Sequence, residues 1–167
     1  MMNRAGERGM AALELLLLLA VLGLAARWAM PNALRIYKYS AVRYEAELLL
    51  SELRYEQVLA RTAAQNLAAD GSTAIASTRP YILLTGTGYR VYRSRDEVKR
   101  HSCLATVRLK FNDSWDGRDQ MIFFNANGNV YPNVTIKVFS SGGEGIGCKL
   151  VLDNAGRFRL ERIDAGG

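Results

Sequence analysis

Residues 1–9 read MMNRAGERG and residues 10–30 read MAALELLLLLAVLGLAARWAM, so a short basic leader is followed by a long apolar run. Glu14 is the only charged residue of this run before Arg27. About 20 apolar residues are enough to span a bilayer, and a charged side chain at its centre costs about 2.5–3.5 kcal/mol on insertion scales. An acid in this position therefore indicates a functional role and a positively charged partner.

The bond between Gly9 and Met10 offers such a partner. A secretory signal peptide is cut after its apolar stretch, whereas here the small residue Gly9 precedes that stretch. Cleavage after Gly9 would leave the apolar helix on the mature chain with a new amine at Met10. This amine, from the same molecule or from a neighbour, could pair with Glu14, because pairing lowers the cost of holding both charges in a low dielectric.

The alternative interpretation is an uncleaved signal anchor. Arg4 and Arg8 would then keep the leader in the cytoplasm under the positive-inside rule, and the apolar run would cross the membrane once. A plain anchor accounts for the length of the run, but it gives no reason for Gly9 or Glu14.

The N-terminal pattern resembles the class III signal of type IV pilins and pseudopilins. Gly9, Met10 and Glu14 match its positions, and Pro31 falls where pilins often carry a helix-bending proline. The resemblance implies cleavage before Met10 and N-methylation of Met10 by a prepilin peptidase, followed by assembly with other pilins through Glu14 and Pro31. It also implies a single-pass protein of the inner (cytoplasmic) membrane, with its C-terminal domain outside the cytoplasm and later in a pilus or pseudopilus.

The chain beyond the apolar run predicts a second, two-faced stretch of helix. Apolar residues recur every three or four positions from Val42 to Leu67, and the charged residues between them, such as Glu52 and Glu56, predict a solvent-exposed face. Pro31 is expected to kink or interrupt the helix, and Gly71 to end it. The expected organisation is a leader at 1–9, a transmembrane helix at 10–30, an amphipathic helix at 31–70 and a β-domain at 71–167.

The last half of the chain predicts about seven short antiparallel strands separated by turn signals. Residues 81–84 and 89–92 flank TGTG and predict a hairpin. Further strands are expected in residues 104–111, 121–124, 134–139, 149–152 and 157–163. Residues 93–102 give no usable signal. The predicted fold is α+β, with the long N-terminal helix packed on an antiparallel β-sheet domain.

This layout resembles the minor pilins and pseudopilins of the GspH/FimT type. The resemblance is carried by residues 51–60, by the F-x-x-x-G segment from Phe124 to Gly128, and by residues 134–136 and 156–159. It implies a structural subunit of a pilus, of a competence system or of a secretion pseudopilus. The alternative within the same group is a GspH-like pseudopilin of a type II secretion system that has no nucleic-acid role.

The basic residues make DNA a candidate partner. The chain carries a net charge of +6, and residues 90–100 form one arginine- and lysine-rich stretch. FimT-like pilins of DNA-uptake systems bind DNA in part through a Gly-Arg-x-Arg segment, which Gly156, Arg157 and Arg159 match, with Arg162 close by. The alternative is that Gly156 serves a turn while the arginines keep an edge strand solvated.

The remaining chemistry is sparse. Cys103 and Cys148 could form a disulfide after export, or they could remain buried free thiols. His101 is the single histidine and has no evident set of ligands near it in sequence, so no metal or cofactor is predicted. The sequence contains neither a nucleophile elbow nor a phosphate-binding loop, and we do not expect an enzyme.

Overall fold

The computed structural model describes residues 4–69, 79–111, 119–142 and 145–163; within its helix, side chains are described for residue 10 and residues 12–63. The chain divides into two compact units, Met1–Tyr37 and Lys38–Gly167. The expected helix stop at Gly71 lies outside the described residues.

Helix α1 (Arg4–Ala69) contributes to both units. It continues through Pro31 without interruption. A proline removes one hydrogen bond of the helical ladder, and the turns on both sides keep theirs. Every side chain from residue 12 to residue 37 is exposed. By length and composition, α1 is a helix that could cross a membrane, as a membrane-anchored protein requires.

The second half of α1 buries the apolar stripe that its sequence predicts. Val42, Ala46, Leu49, Leu53 and Ala60 are all buried in the core. The expectation for the charged face was partly wrong, because three of its glutamates are buried as well. Glu45, Glu52 and Glu56 are only 2%, 7% and 0% exposed.

Nine strands follow α1 in the described residues. They are β1 (Tyr81–Thr85), β2 (Gly88–Arg93), β3 (Asp96–Ser102), β4 (Val107–Phe111), β5 (Gln120–Phe124), β6 (Val130–Tyr131), β7 (Val134–Ser140), β8 (Gly147–Leu152) and β9 (Phe158–Ile163). A five-stranded sheet has the order β3-β2-β1-β5-β6, and a four-stranded sheet has the order β4-β7-β8-β9. All their pairings are antiparallel, which confirms the α+β prediction.

The two sheets and α1 share one hydrophobic core. Alternate residues of the strands point inward, such as Ile82 and Leu84 of β1 and Ile136 and Val138 of β7. The predicted hairpin is confirmed, with Gly86 at its turn between β1 and β2. Strand β3 was missed because its residues are almost all polar and exposed, so that no apolar alternation marks it.

Candidate functional site

The apolar half of α1 is the first candidate site. Glu14 is exposed on this helix, and Leu13 and Leu15 beside it are 65% and 61% exposed. Contiguous apolar surface of this size marks an interaction with another protein or with a membrane. The residues of the predicted cleavage site, Gly9 and Met10, lie in the same helix, as does Pro31.

Two of the buried glutamates of α1 pair with a cation from the five-stranded sheet. The Arg93 Nε donates a hydrogen bond to the Glu56 Oε2 at 3.2 Å, and the Arg93 Nη2 donates to the other carboxylate oxygen. This bond is the main cause that raises the pKa of Arg93. The Lys99 Nζ donates to the Glu52 Oε2. These contacts neutralise carboxylates that would be costly to bury alone.

The basic stretch at residues 90–100 is therefore largely occupied within the chain. Besides the two pairs with α1, the Arg100 Nε lies 2.7 Å from the Glu97 Oε1 and the Arg90 Nη1 lies 4.0 Å from the Glu97 Oε2. The bond from Arg100 is the main cause that lowers the pKa of Glu97. Arg93 of β2 and Lys99 of β3 hold this edge of the sheet on the helix. Most cations of the stretch thus already have an acidic partner, which leaves it poorly suited to an external anion.

The third buried glutamate has the most varied surroundings. The His101 Nε2 lies 2.8 Å from the Glu45 Oε2, and the backbone N–H of Leu104 donates to the Glu45 Oε1 at 2.9 Å. The ligand atoms of Glu45, His101 and Cys103 all lie within 4.8 Å of one another. His101 thus has neighbours that the sequence did not reveal. We call these three residues the Glu-His-Cys cluster.

Burial dominates the acid–base properties around this cluster. It raises the pKa of the Cys103 thiol to about 12, helped by the charge of Glu45 and by a hydrogen bond to it. Tyr89 packs its ring 5.0 Å from the His101 ring. Burial above all, and then Glu52, Cys103 and Glu45, raise the pKa of Tyr89. Its buried hydroxyl has no hydrogen-bond partner among the described residues.

The two cysteines are free thiols in this structure, so the predicted bridge is not formed here. Cys103 follows β3 and belongs to the cluster, whereas Cys148 is buried in β8 of the other sheet. Burial raises the pKa of Cys148, and the charges that act on it come from Arg43, Glu47 and Arg162. The two thiols therefore have different neighbours.

A second charged surface covers the outer face of the four-stranded sheet. Lys110, Lys137 and Lys149 are cross-strand neighbours on β4, β7 and β8 and point away from the core. We call them the lysine row. Arg159, on the edge strand β9, lies on the same face, and Glu161 ends the row 3.9 Å from Lys149. Neighbouring like charges repel one another, so this face favours an anionic partner.

The structure separates the three arginines that the sequence grouped as a candidate DNA site. Arg157 and Arg159 are exposed on the side of the lysine row, although Arg157 binds Asp153 with 2.7 Å between Nη2 and Oδ2. Arg162 lies on the opposite face of β9, with its guanidinium carbon 4.7 Å from the centre of the Tyr39 ring. Arg162 therefore cannot act on the same surface as the other two.

Comparison with known proteins finds a similar structure but no matching sequence. No family model and no curated protein sequence matches the chain. Two crystal structures of the type IV minor pilin FimU from Pseudomonas aeruginosa are similar, both at 20% sequence identity. The TM-scores are 0.52 and 0.51, with 72% and 71% of this chain and 87% and 91% of the other covered.

The chain has the fold of a type IV minor pilin. The resemblance that the sequence predicted is thereby confirmed at the level of the fold.

Within this pilin fold, the glycines of the two C-terminal motifs have a packing role. The Gln57 Nε2 donates to the Gly128 carbonyl at 2.6 Å and to the Gly156 carbonyl at 2.8 Å. Both glycines have a φ of 74°, and a Cβ on Gly156 would collide with Gln57 and with the Gly128 carbonyl. Only glycine fits this close approach. The glycine of the Gly-Arg-x-Arg segment is thus explained by the turn and by helix docking.

Proposed function

We propose that the chain is a minor pilin or pseudopilin, a structural subunit that α1 anchors in the membrane before assembly. The observation that carries this proposal is the exposed apolar surface of residues 12–37 on a pilin-like fold. No described part of the chain covers that surface, so lipid must cover it before assembly and other helices afterwards.

Glu14 gives this surface its specificity. A prepilin peptidase would cut after Gly9 and methylate the new amine of Met10. The carboxylate of Glu14 would then pair with a Met10 amine, its own or a neighbour's, and set the axial register between subunits. Pro31 lies in the same exposed segment, where it would shape the packing of neighbouring helices.

The experiment compares Glu14→Ala with Glu47→Ala, which removes an exposed acid of the same helix outside the apolar segment. We expect both variants to enter the membrane fraction and to be processed, and only Glu14→Ala to be lost from sheared filaments or from crosslinked pseudopili. Equal incorporation of the two variants would refute the role of Glu14. Mass spectrometry of the chain from the cell envelope measures processing directly. If the leader is still attached, the uncleaved signal anchor is the interpretation that remains.

DNA binding is a second proposed function, and the specific observation that favours it is the lysine row with Arg157 and Arg159 on the same face. Phosphate contacts of this kind do not depend on the DNA sequence. Each removed contact makes log affinity fall less steeply with log salt, and the magnitude of the slope decreases by about 0.9. The surface would contact the DNA backbone from the outer face of a sheet, outside the apolar helix.

The test measures the binding of a fluorescent DNA duplex by the full chain in detergent across a series of salt concentrations. Lys137→Ala with Lys149→Ala should reduce the salt slope by about 1.8, and Arg157→Ala with Arg159→Ala should weaken binding further. Arg162→Ala is the matched control, because Arg162 lies on the other face. If the wild type does not bind DNA, a GspH-like pseudopilin of a type II secretion system becomes the better proposal. If Arg162→Ala has the largest effect, the lysine row is not the binding surface.

A further inference from the structure

The Glu-His-Cys cluster brings together three different metal-binding groups from two distant segments. Glu45 lies on the second half of α1, His101 near the end of β3, and Cys103 just after that strand. Glu45 is buried, and the other two are half-buried. The cluster sits where the helix meets the edge of the five-stranded sheet, away from the lysine row and from the apolar half of α1.

We propose that Glu45, His101 and Cys103 bind a Zn²⁺ ion, with a fourth position open to water or to a ligand from another molecule. Thiolate sulfur, imidazole nitrogen and carboxylate oxygen are the ligands that zinc takes in proteins. On binding, the S–H bond of Cys103 breaks, the S–Zn bond forms and the proton passes to the solvent. One carboxylate and one thiolate then balance the two charges of the ion, which suits a site that is largely shielded from water.

The geometry needs only small adjustments. Tetrahedral zinc with bonds of about 2.0–2.3 Å separates its ligand atoms by about 3.3–3.6 Å. The Glu45 Oε2 and the His101 Nε2, now 2.8 Å apart, would move apart by about 0.5 Å, and ligand atoms at the 4.8 Å limit of the cluster would approach by about 1 Å. Rotations of the His101 and Cys103 side chains supply such shifts. The N–H of Leu104 on the Glu45 Oε1 already orients the carboxylate, as partners of metal ligands do.

A second observation points to a ligand at the same place. The Tyr89 ring packs 5.0 Å from the His101 ring, and the buried Tyr89 hydroxyl has no hydrogen-bond partner among the described residues. A buried hydroxyl without a partner is unfavourable, so a hydrogen-bond partner for it is expected at this place. A water molecule on the zinc ion would give this hydroxyl a partner.

Zinc binding and the predicted disulfide are mutually exclusive fates of one sulfur atom. A Cys103 thiolate bound to zinc is not available to Cys148, and the free thiols of this structure are the form that zinc requires. The site would fasten α1 to the end of β3 without a covalent bond to the second sheet.

The experiment uses the full, untagged chain, reduced and in detergent micelles, with Co²⁺ as the spectroscopic probe and Zn²⁺ as the competitor. We expect one Co²⁺ per chain, visible bands of tetrahedral Co²⁺ and a near-ultraviolet thiolate charge-transfer band that Zn²⁺ abolishes. The charge-transfer band should persist in Cys148→Ser, the matched thiol control, and disappear in Cys103→Ser. Its absence from the wild type, or an unchanged band in Cys103→Ser, would overturn the proposal.

A second measurement leaves the ligands intact, so a misfolded variant cannot obscure the result. In the Cys148→Ser background, Zn²⁺ should slow the alkylation of Cys103 at least tenfold, and a chelator should restore the original rate. His101→Gln, which keeps a polar side chain, should remove the protection. Alkylation that is equally fast with and without Zn²⁺ would show that the three residues form only a hydrogen-bonded cluster and would refute the site.

Discussion

Replacing Arg93 with methionine tests whether the ion pairs between α1 and the sheet matter for stability. Arg93→Met keeps the aliphatic part of the side chain and removes its charge, which leaves the Glu56 carboxylate unpaired at 0% exposure. Removing one partner of a buried ion pair costs about 3–5 kcal/mol. The Arg93 side chain is 38% exposed, so water can reach the gap, and we expect the lower end of the range, about 3 kcal/mol.

The assay is unfolding of the full chain in detergent, followed by near-ultraviolet circular dichroism. A loss of about 3 kcal/mol should lower the Tm by roughly 10–15 °C for a unit of this size. The control is Arg43→Met, which breaks an exposed pair with Glu47 on the same helix and should leave the Tm unchanged. The double variant Arg93→Met with Glu56→Leu should regain most of the loss, because an apolar pair can replace a buried ion pair.

Two results would refute this reasoning. Arg93→Met could prove as stable as the Arg43→Met control, which would mean that Glu56 reaches water or another partner without Arg93. The double variant could also prove less stable than Arg93→Met alone, which would mean that the buried carboxylate contributes through contacts other than this pair.

Three further predictions follow from single residues. Burial raises the pKa of Cys103 from 9.0 to about 12, so at pH 8 its thiolate fraction falls about a thousandfold. Mass spectrometry should therefore find Cys103 alkylated far more slowly in the folded metal-free chain than in urea, and equal rates would contradict this. Gly156→Ala should lower the free energy of unfolding by more than about 1 kcal/mol, because its φ is 74°. Gly86→Ala should not, because its Cβ would meet only the Leu109 carbonyl oxygen at 4.0 Å, an ordinary contact; equal urea midpoints would argue against the close approach at Gly156. Hydrogen bonds from the backbone of residue 155 and then from Arg157 lower the pKa of Asp153 below 3.8. The Asp153 carboxylate therefore stabilises the fold above its unfolded pKa and loses that contribution as the pH falls through its folded pKa. Arg157→Ala should raise the folded pKa of Asp153 in an NMR titration, and an unchanged value would count against the pair.

The β-domain was largely readable from the sequence because its strands follow simple alternation. In β4, Val107, Leu109 and Phe111 are buried and the residues between them point outward, as their period of two requires. The two-residue turn at Gly86 fixed the first hairpin in the same way. Strand β3 could not be found by this rule, because it is an exposed edge strand and carries charged side chains on both faces.

The buried acids show why the rest could not be read. Glu45, Glu52 and Glu56 share helical spacing with the apolar stripe, but their charge assigned them to solvent. Their burial depends on side-chain partners that are 56, 47 and 37 residues away in sequence. Two of these partners, Lys99 and His101, lie on β3, which shows no apolar alternation, and no local pattern connects the glutamates with any of the three.

The candidate sites follow the same division. The signal at Gly9, Met10 and Glu14 is local, and the sequence displays all of it. The Glu-His-Cys cluster exists only once α1 lies on β3, so it could not be read from spacing. Conversely, neighbouring arginines of the last strand looked like one site in the sequence, and the pleat of β9 sends Arg162 to the other face.

The contacts of the three buried glutamates also fix the register of the second half of α1 on the sheet. A slip of one residue would turn the helix by about 100° and shift it by about 1.5 Å, and Glu45, Glu52 and Glu56 would lose their partners on the sheet together. Intermediate settings are therefore excluded, and the part of α1 from Glu45 to Glu56 has a single register on the strands that it contacts.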